Sequence, residues 1–125
     1  MLDFLGVSQV TAPSSTCDWV PRPSALPLVT AGQRPVFVND LAALDALSQT
    51  NLDLRKVVLL SPEAQGHISA TEQTGARILD ASFSNSSISI QTESPSASLV
   101  VVSQTHYPGW KAYVDGRPAK IWRAN

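Results

Sequence analysis

The chain is interrupted too often to build long elements. Nine prolines and six glycines are spread along it, and no unbroken apolar stretch exceeds four or five residues, as at Leu99 to Val102. A membrane-crossing helix needs about 20 apolar residues, so none is expected here. Frequent breaks also favour many short strands over a helical bundle. The one cysteine, Cys17, has no internal disulfide partner, and its neighbours Thr16 and Asp18 do not favour a thiolate, so an inert, half-buried thiol is expected. The opening MLDFLGVSQV is too short and too acidic for a signal peptide, with Asp3 where a positive charge should stand.

Size and charge narrow the class further. A chain of 125 residues and 13.4 kDa should expose about 6,500 Å² when folded, against about 19,000 Å² unfolded. That is one domain, residues 1–125, with a real core. Charged residues make up 15% against 43% hydrophobic, which is not the balance of a disordered chain. A net charge of −1 gives no general electrostatic grip on nucleic acid.

Two parts are expected within the domain: a small α/β portion over 1–65 and an antiparallel β portion over 76–125. Residues 1–5 read as a helix end broken by Gly6, and Val7 to Val10 as a short strand. Residues 11–26, with Pro13, Pro21 and Pro23, read as an irregular crossing loop. Leu26 to Thr30 and Pro35 to Val38 look like strands around the turn Ala31-Gly32-Gln33. Asn39 or Asp40 can cap a helix in which Leu41, Leu44 and Leu47 recur, a face that must lie against a sheet. Lys56 to Ser61 is a strand, and 62–75 a loop.

Beyond residue 75 the pattern is purely β. Leu79, Ala81 and Phe83 should share one face of a strand over Arg77 to Phe83. Ile88, Ile90 and Thr92 alternate with polar residues in the next. Leu99 to Val102 suits a central strand covered on both faces. Asp115-Gly116 fits a two-residue type I′ turn, which pairs Val114 with Arg117, Ala112 with Ala119 and Trp110 with Ile121. One hairpin face then carries Trp110, Ala112, Val114, Ala119 and Ile121, and is read as core. The other carries Lys111, Tyr113, Lys120 and Trp122, and is read as an amphipathic surface. The fold class is α+β, mainly β: an antiparallel, sandwich-like C-terminal half preceded by a small α/β part with one short helix.

Little in the sequence points to catalysis. His67 and His106 have no second histidine or cysteine at ligand spacing, so no metal is expected. No strand–turn–helix elbow surrounds a serine, and there is no glycine-rich phosphate loop, so no catalytic residue and no cofactor is implied. One cluster stands out. The stretch from His106 to Trp122 holds both tyrosines and two of the three tryptophans, and four of the nine basic residues fall between 111 and 123. Tyr107, Lys111, Tyr113, Lys120 and Trp122 form a candidate carbohydrate- or anion-binding surface, because aromatic faces stack and cations pair with phosphates. Alternatively, the aromatics pack inward and the lysines keep an edge soluble.

The same stretch, HYPGWKAYVDGRPAKIWRAN, resembles the signature near the C-terminus of YfhO-like bacterial membrane proteins, relatives of the GT-C glycosyltransferases. Pro108, Gly109, Trp110, Asp115 and Gly116 stand at the motif positions. MLDFLGVSQV is similar to the segment that follows a membrane helix in that family, with Ser8-Gln9 in place of a basic-aromatic pair. LPLVTAG, the helix at 40–48 and KVVLLS fall in the family's order. The family's membrane helices are missing, and its members continue past the position of Asn125 into a further hairpin.

The resemblance therefore implies a non-catalytic extracytoplasmic domain, on the outer face of the bacterial cytoplasmic membrane as part of a larger protein. That protein would serve cell-envelope polymer glycosylation, with an envelope glycan or a lipid-linked sugar as partner. A free carbohydrate-binding module that uses the same hairpin is the alternative. A domain without the family's final strands should also self-associate through open strand edges, 119–123 and 99–102 among them.

Overall fold

The computed structural model of the chain describes residues 7–49 and 51–125. The helix end expected at 1–5 lies outside them. Among the described residues the class is the expected one, mainly strands with one helix. The strands are β1 (Gln9–Ala12), β2 (Ser15–Pro21), β3 (Val29–Ala31), β4 (Arg34–Phe37), β5 (Val57–Leu60), β6 (Arg77–Phe83), β7 (Ile88–Glu93), β8 (Val100–Val102), β9 (Ala112–Val114) and β10 (Arg117–Ala119). Helix α1 spans Asp40–Ser48. The strands pair two by two in five small sheets.

The core forms on β5, the longest wholly apolar strand. Val58 is 1% exposed, and Leu60 and the fully buried Ala64 join it. Ala64 reaches the core because Pro62–Ala64 makes a single 3-10 turn, with the Ser61 hydroxyl accepting from the Glu63 N–H. Phe37, Leu99, Val101 and Trp122 pack around this cluster. β5 lies parallel to β4. Parallel neighbours need a crossover rather than a tight turn, and α1 lies in that connection. The other edge of β5 receives the end of the chain. Ala124 bridges Leu60, the Leu59 N–H donates to the Asn125 side-chain oxygen at 2.9 Å, and the Asn125 N–H donates to the Leu59 carbonyl at 3.0 Å. β3 pairs with β8, so the early and late parts of the chain share one body.

Several expectations need correction. Residues 11–26 are not an irregular loop. β2 returns antiparallel on β1, and the disruptive prolines fall at the turn and at the strand's end, where a missing N–H does little harm. Cys17, on β2, is exposed rather than half-buried. Asn39 caps α1 through its side chain, which accepts from the Ala42 N–H. The leucine repeat, however, does not face a sheet: Leu41 is 80% exposed and Leu44 is exposed too. A step of three falls short of the 3.6-residue turn, so the leucines wind around the helix, and Ala43, Ala46 and Leu47 make its half-buried side.

In β6 the ladder slips between Ile78 and Asp80, which leaves Leu79 exposed while Ile78 and Ala81 turn inward. The run over 99–102 is no central strand. Among the described residues β8 has β3 as its single strand partner, and Val100 is exposed. The accessible surface is 8958 Å², about 2,500 Å² above what a compact chain of this mass presents.

Candidate functional site: an anchored aromatic hairpin

The hairpin forms as its sequence dictates. Asp115 and Gly116 take φ values of 50° and 76°, the pair of positive angles a type I′ turn requires, and glycine takes its share at no steric cost. Val114 faces Arg117 and Ala112 faces Ala119, as the turn predicts. The ladder stops there, so Trp110 and Ile121 do not pair as strand residues. Pro118 faces Tyr113. In a two-residue hairpin that position turns its backbone N outward, and proline has no hydrogen there. The outer edge of β10 is thereby blunted at Pro118 as a template for another strand, and the strand ends at Ala119, so residues 120–123 of the edge expected at 119–123 are not strand.

A second turn leads into β9. The Trp110 N–H donates to the Tyr107 carbonyl at 3.0 Å across Pro108-Gly109. Gly109 is needed for space: a Cβ there would lie 2.7 Å from Cε1 of Tyr107. The bare backbone lets the Tyr107 ring lie down on the turn.

Which side of the hairpin is buried differs from the sequence pattern. Trp110, expected in the core, is 38% exposed, and Val114 and Ile121 are exposed as well. Trp122, expected on the open surface, is half-buried against the core and stacks on His67, with ring centroids 5.6 Å apart. The reason lies after β10. The segment 122–125 is fixed to the protein body, and the hairpin before it projects away. Arg123 donates to Asp40 at the start of α1. That hydrogen bond, and the carboxylate's charge, hold the exposed Arg123 guanidinium above its ordinary pKa. Asn125 closes onto β5. Sequence reasoning missed these anchors. A terminal Arg-Ala-Asn carries no periodic signal, and its partners lie 66 and 83 residues away.

Between the hairpin and the 106–111 segment lies an open cleft of about 340 Å³. Tyr107, Trp110, Lys111, Tyr113 and Lys120 line it, and among the described residues no carboxylate does. Tyr107 and Tyr113 are 67% and 63% exposed. The structure thus brings together four of the five expected surface residues and adds Trp110. Trp122 stands behind them, outside the cleft, with the Lys120 ammonium 3.8 Å from the centre of its ring. Such a cation–π contact fixes where Lys120 holds its charge. Pro108, Gly109, Asp115 and Gly116 shape the two turns.

No protein-family model, no curated protein and no solved structure matches the chain. No helix among the described residues is long and apolar enough to cross a membrane.

Proposed function

We propose that the chain is a non-catalytic, saccharide-holding domain of a YfhO-like envelope protein, facing outward from the bacterial cytoplasmic membrane and serving cell-envelope polymer glycosylation. The observation that carries this reading is the exposure of Tyr107, Trp110 and Tyr113 around one cleft on an anchored hairpin. A pyranose offers an apolar face of C–H groups, which an aromatic ring covers, and a rim of hydroxyls, which lysine and tyrosine can bond. Titration of tryptophan fluorescence with envelope glycans tests it. Saturable quenching that Trp110→Ala or Tyr113→Ala removes supports the reading, and no response to any glycan overturns it.

The membrane setting rests on the resemblance of residues 106–125 and is tested separately. A transcript that carries this domain in frame with membrane helices supports it. A transcript without them favours the second reading, a free carbohydrate-binding module, which the exposure of Trp110 also serves.

The chain alone should self-associate. Its excess surface of about 2,500 Å² exceeds the roughly 800 Å² per partner of a standard interface. With β10 blunted by Pro118, the free edge of β8 is the better template. Sedimentation at micromolar concentration should show a dimer that Val100→Pro abolishes, since the exposed Val100 turns its N–H away from β3. A stable monomer counts against this proposal.

A further inference from the structure

We infer that His67, Trp122 and Lys120 form an acid-released latch at the foot of the hairpin: protonation of His67 drives the Lys120 ammonium off the Trp122 ring. One indole here serves two partners. The Lys120 ammonium lies 3.8 Å from the centre of the ring. The His67 imidazole stacks on it, with centroids 5.6 Å apart and planes inclined by 29°. Both distances run to the same side chain, so ammonium and imidazole lie within roughly 10 Å, about one Debye length at 0.1 M salt. The latch needs no ligand to act.

The two partners differ in what acid does to them. A lysine ammonium at a ring face is charged throughout the neutral range, whereas histidine is the side chain whose charge changes between about pH 5 and 8. A neutral imidazole shares the indole with a cation without competing for it. An imidazolium takes up the ring's cation–π attraction for itself and repels the ammonium already there. Both effects act against Lys120.

Which partner leaves follows from how each is held. Trp122 is seated, half-buried, against the core of Val58, Leu60 and Ala64. His67 is fixed to the same wall, because its N–H donates to the carbonyl of the fully buried Ala64 at 3.0 Å. Lys120 is exposed just past the end of β10, and its ammonium rides on a flexible, well-hydrated stem. The lysine is therefore the one to leave. The surrounding charges do not intervene. Arg123 is paired with Asp40, Glu63 stands exposed in the 3-10 turn before His67, and among the described residues no carboxylate forms an ion pair with His67. With Lys120 released, the end of β10 loses a tie to the anchored segment, while Arg123 and Asn125 keep that segment in place.

The test is proton NMR of the full chain from pH 8 to pH 5, following the His67 ring protons and the Lys120 ε-methylene protons. Protons held over an indole face are shifted upfield by the ring current. The expected result is an upfield Lys120 shift at pH 8 that falls by at least half at pH 5, with the same midpoint as the His67 titration. His67→Gln replaces an exposed side chain with one that takes no charge, so Lys120 should keep its upfield shift at both pH values. Melting curves at pH 5 and pH 8 confirm that the variant folds. A Lys120 shift that stays constant while His67 titrates overturns the inference. So does a loss that persists in His67→Gln, since another group would then drive it. Lys120 protons without an upfield shift at pH 8 overturn it as well, because the ammonium would not be on the ring to be released.

Discussion

The surroundings of β5 and the β9–β10 hairpin use similar residues for opposite ends. Around β5, Val58, Leu60 and Ala64 are buried, and every side of the strand is engaged: β4 on one edge, Ala124 and Asn125 on the other, Phe37 and Trp122 over the core. In the hairpin Trp110, Tyr113, Val114 and Ile121 stay exposed. Hydrophobicity does not separate the two regions. What separates them is whether a second layer lies within reach, because apolar area contributes stability only when it is removed from water. The hairpin is tied at its foot by Trp122, Arg123 and Asn125 and carries its aromatic residues outward. One region supplies stability, and the other leaves its side chains in solvent, where the saccharide proposed above would meet them.

The comparison can be broken first at the core. Leu60→Ala removes a side chain that is 5% exposed and should cost about 2–5 kcal/mol. Urea unfolding reads this as a lower midpoint at unchanged slope. A cost no larger than that of Trp110→Ala would mean that the two regions are not different in kind.

The anchor comes next. Asn125→Ala leaves the N–H of buried Leu59 without its side-chain acceptor, which should cost about 1–3 kcal/mol. Hydrogen exchange should quicken at Leu59 while β6 and β7 keep their protection.

The hairpin should be milder. Trp110 is 38% exposed, so Trp110→Ala should cost about 1–2 kcal/mol, less than the roughly 3–5 of a fully buried aromatic residue. Tyr113→Ala should cost below about 1 kcal/mol. Both should lower glycan response far more than melting temperature. A large stability loss without a binding loss would return Trp110 to the core.

The smallest effect belongs to Asp40→Asn. The Arg123–Asp40 pair is solvent-exposed, and such pairs are weak and screened. Melting temperature should fall slightly at low salt and not at all at high salt. The guanidinium pKa is raised, so its contribution is complete below its already high unfolded value and is lost only as pH rises through the folded one. A scan from pH 6 to pH 9 should therefore show no change attributable to Arg123.

Much of the local structure was legible. Asn39 capped the helix, the Asp115-Gly116 turn set its register, and β5, β6 and β7 appeared where alternation or an apolar run placed them. These features depend on a few neighbouring residues, whose backbone angles and side-chain spacing the sequence states directly. The tertiary structure decided the rest. It paired β3 with β8 across some seventy residues and set β4 parallel to β5. It slipped a bulge under Leu79 and left Leu41 and Leu44 in water. Above all it chose the face of the hairpin. Period-two alternation makes two faces, and here each carries a tryptophan, so the pattern alone cannot rank them. The choice fell to distant partners. His67, Asp40 and Leu59 hold the chain after β10 by its Trp122 side, and Trp110 stays at the cleft.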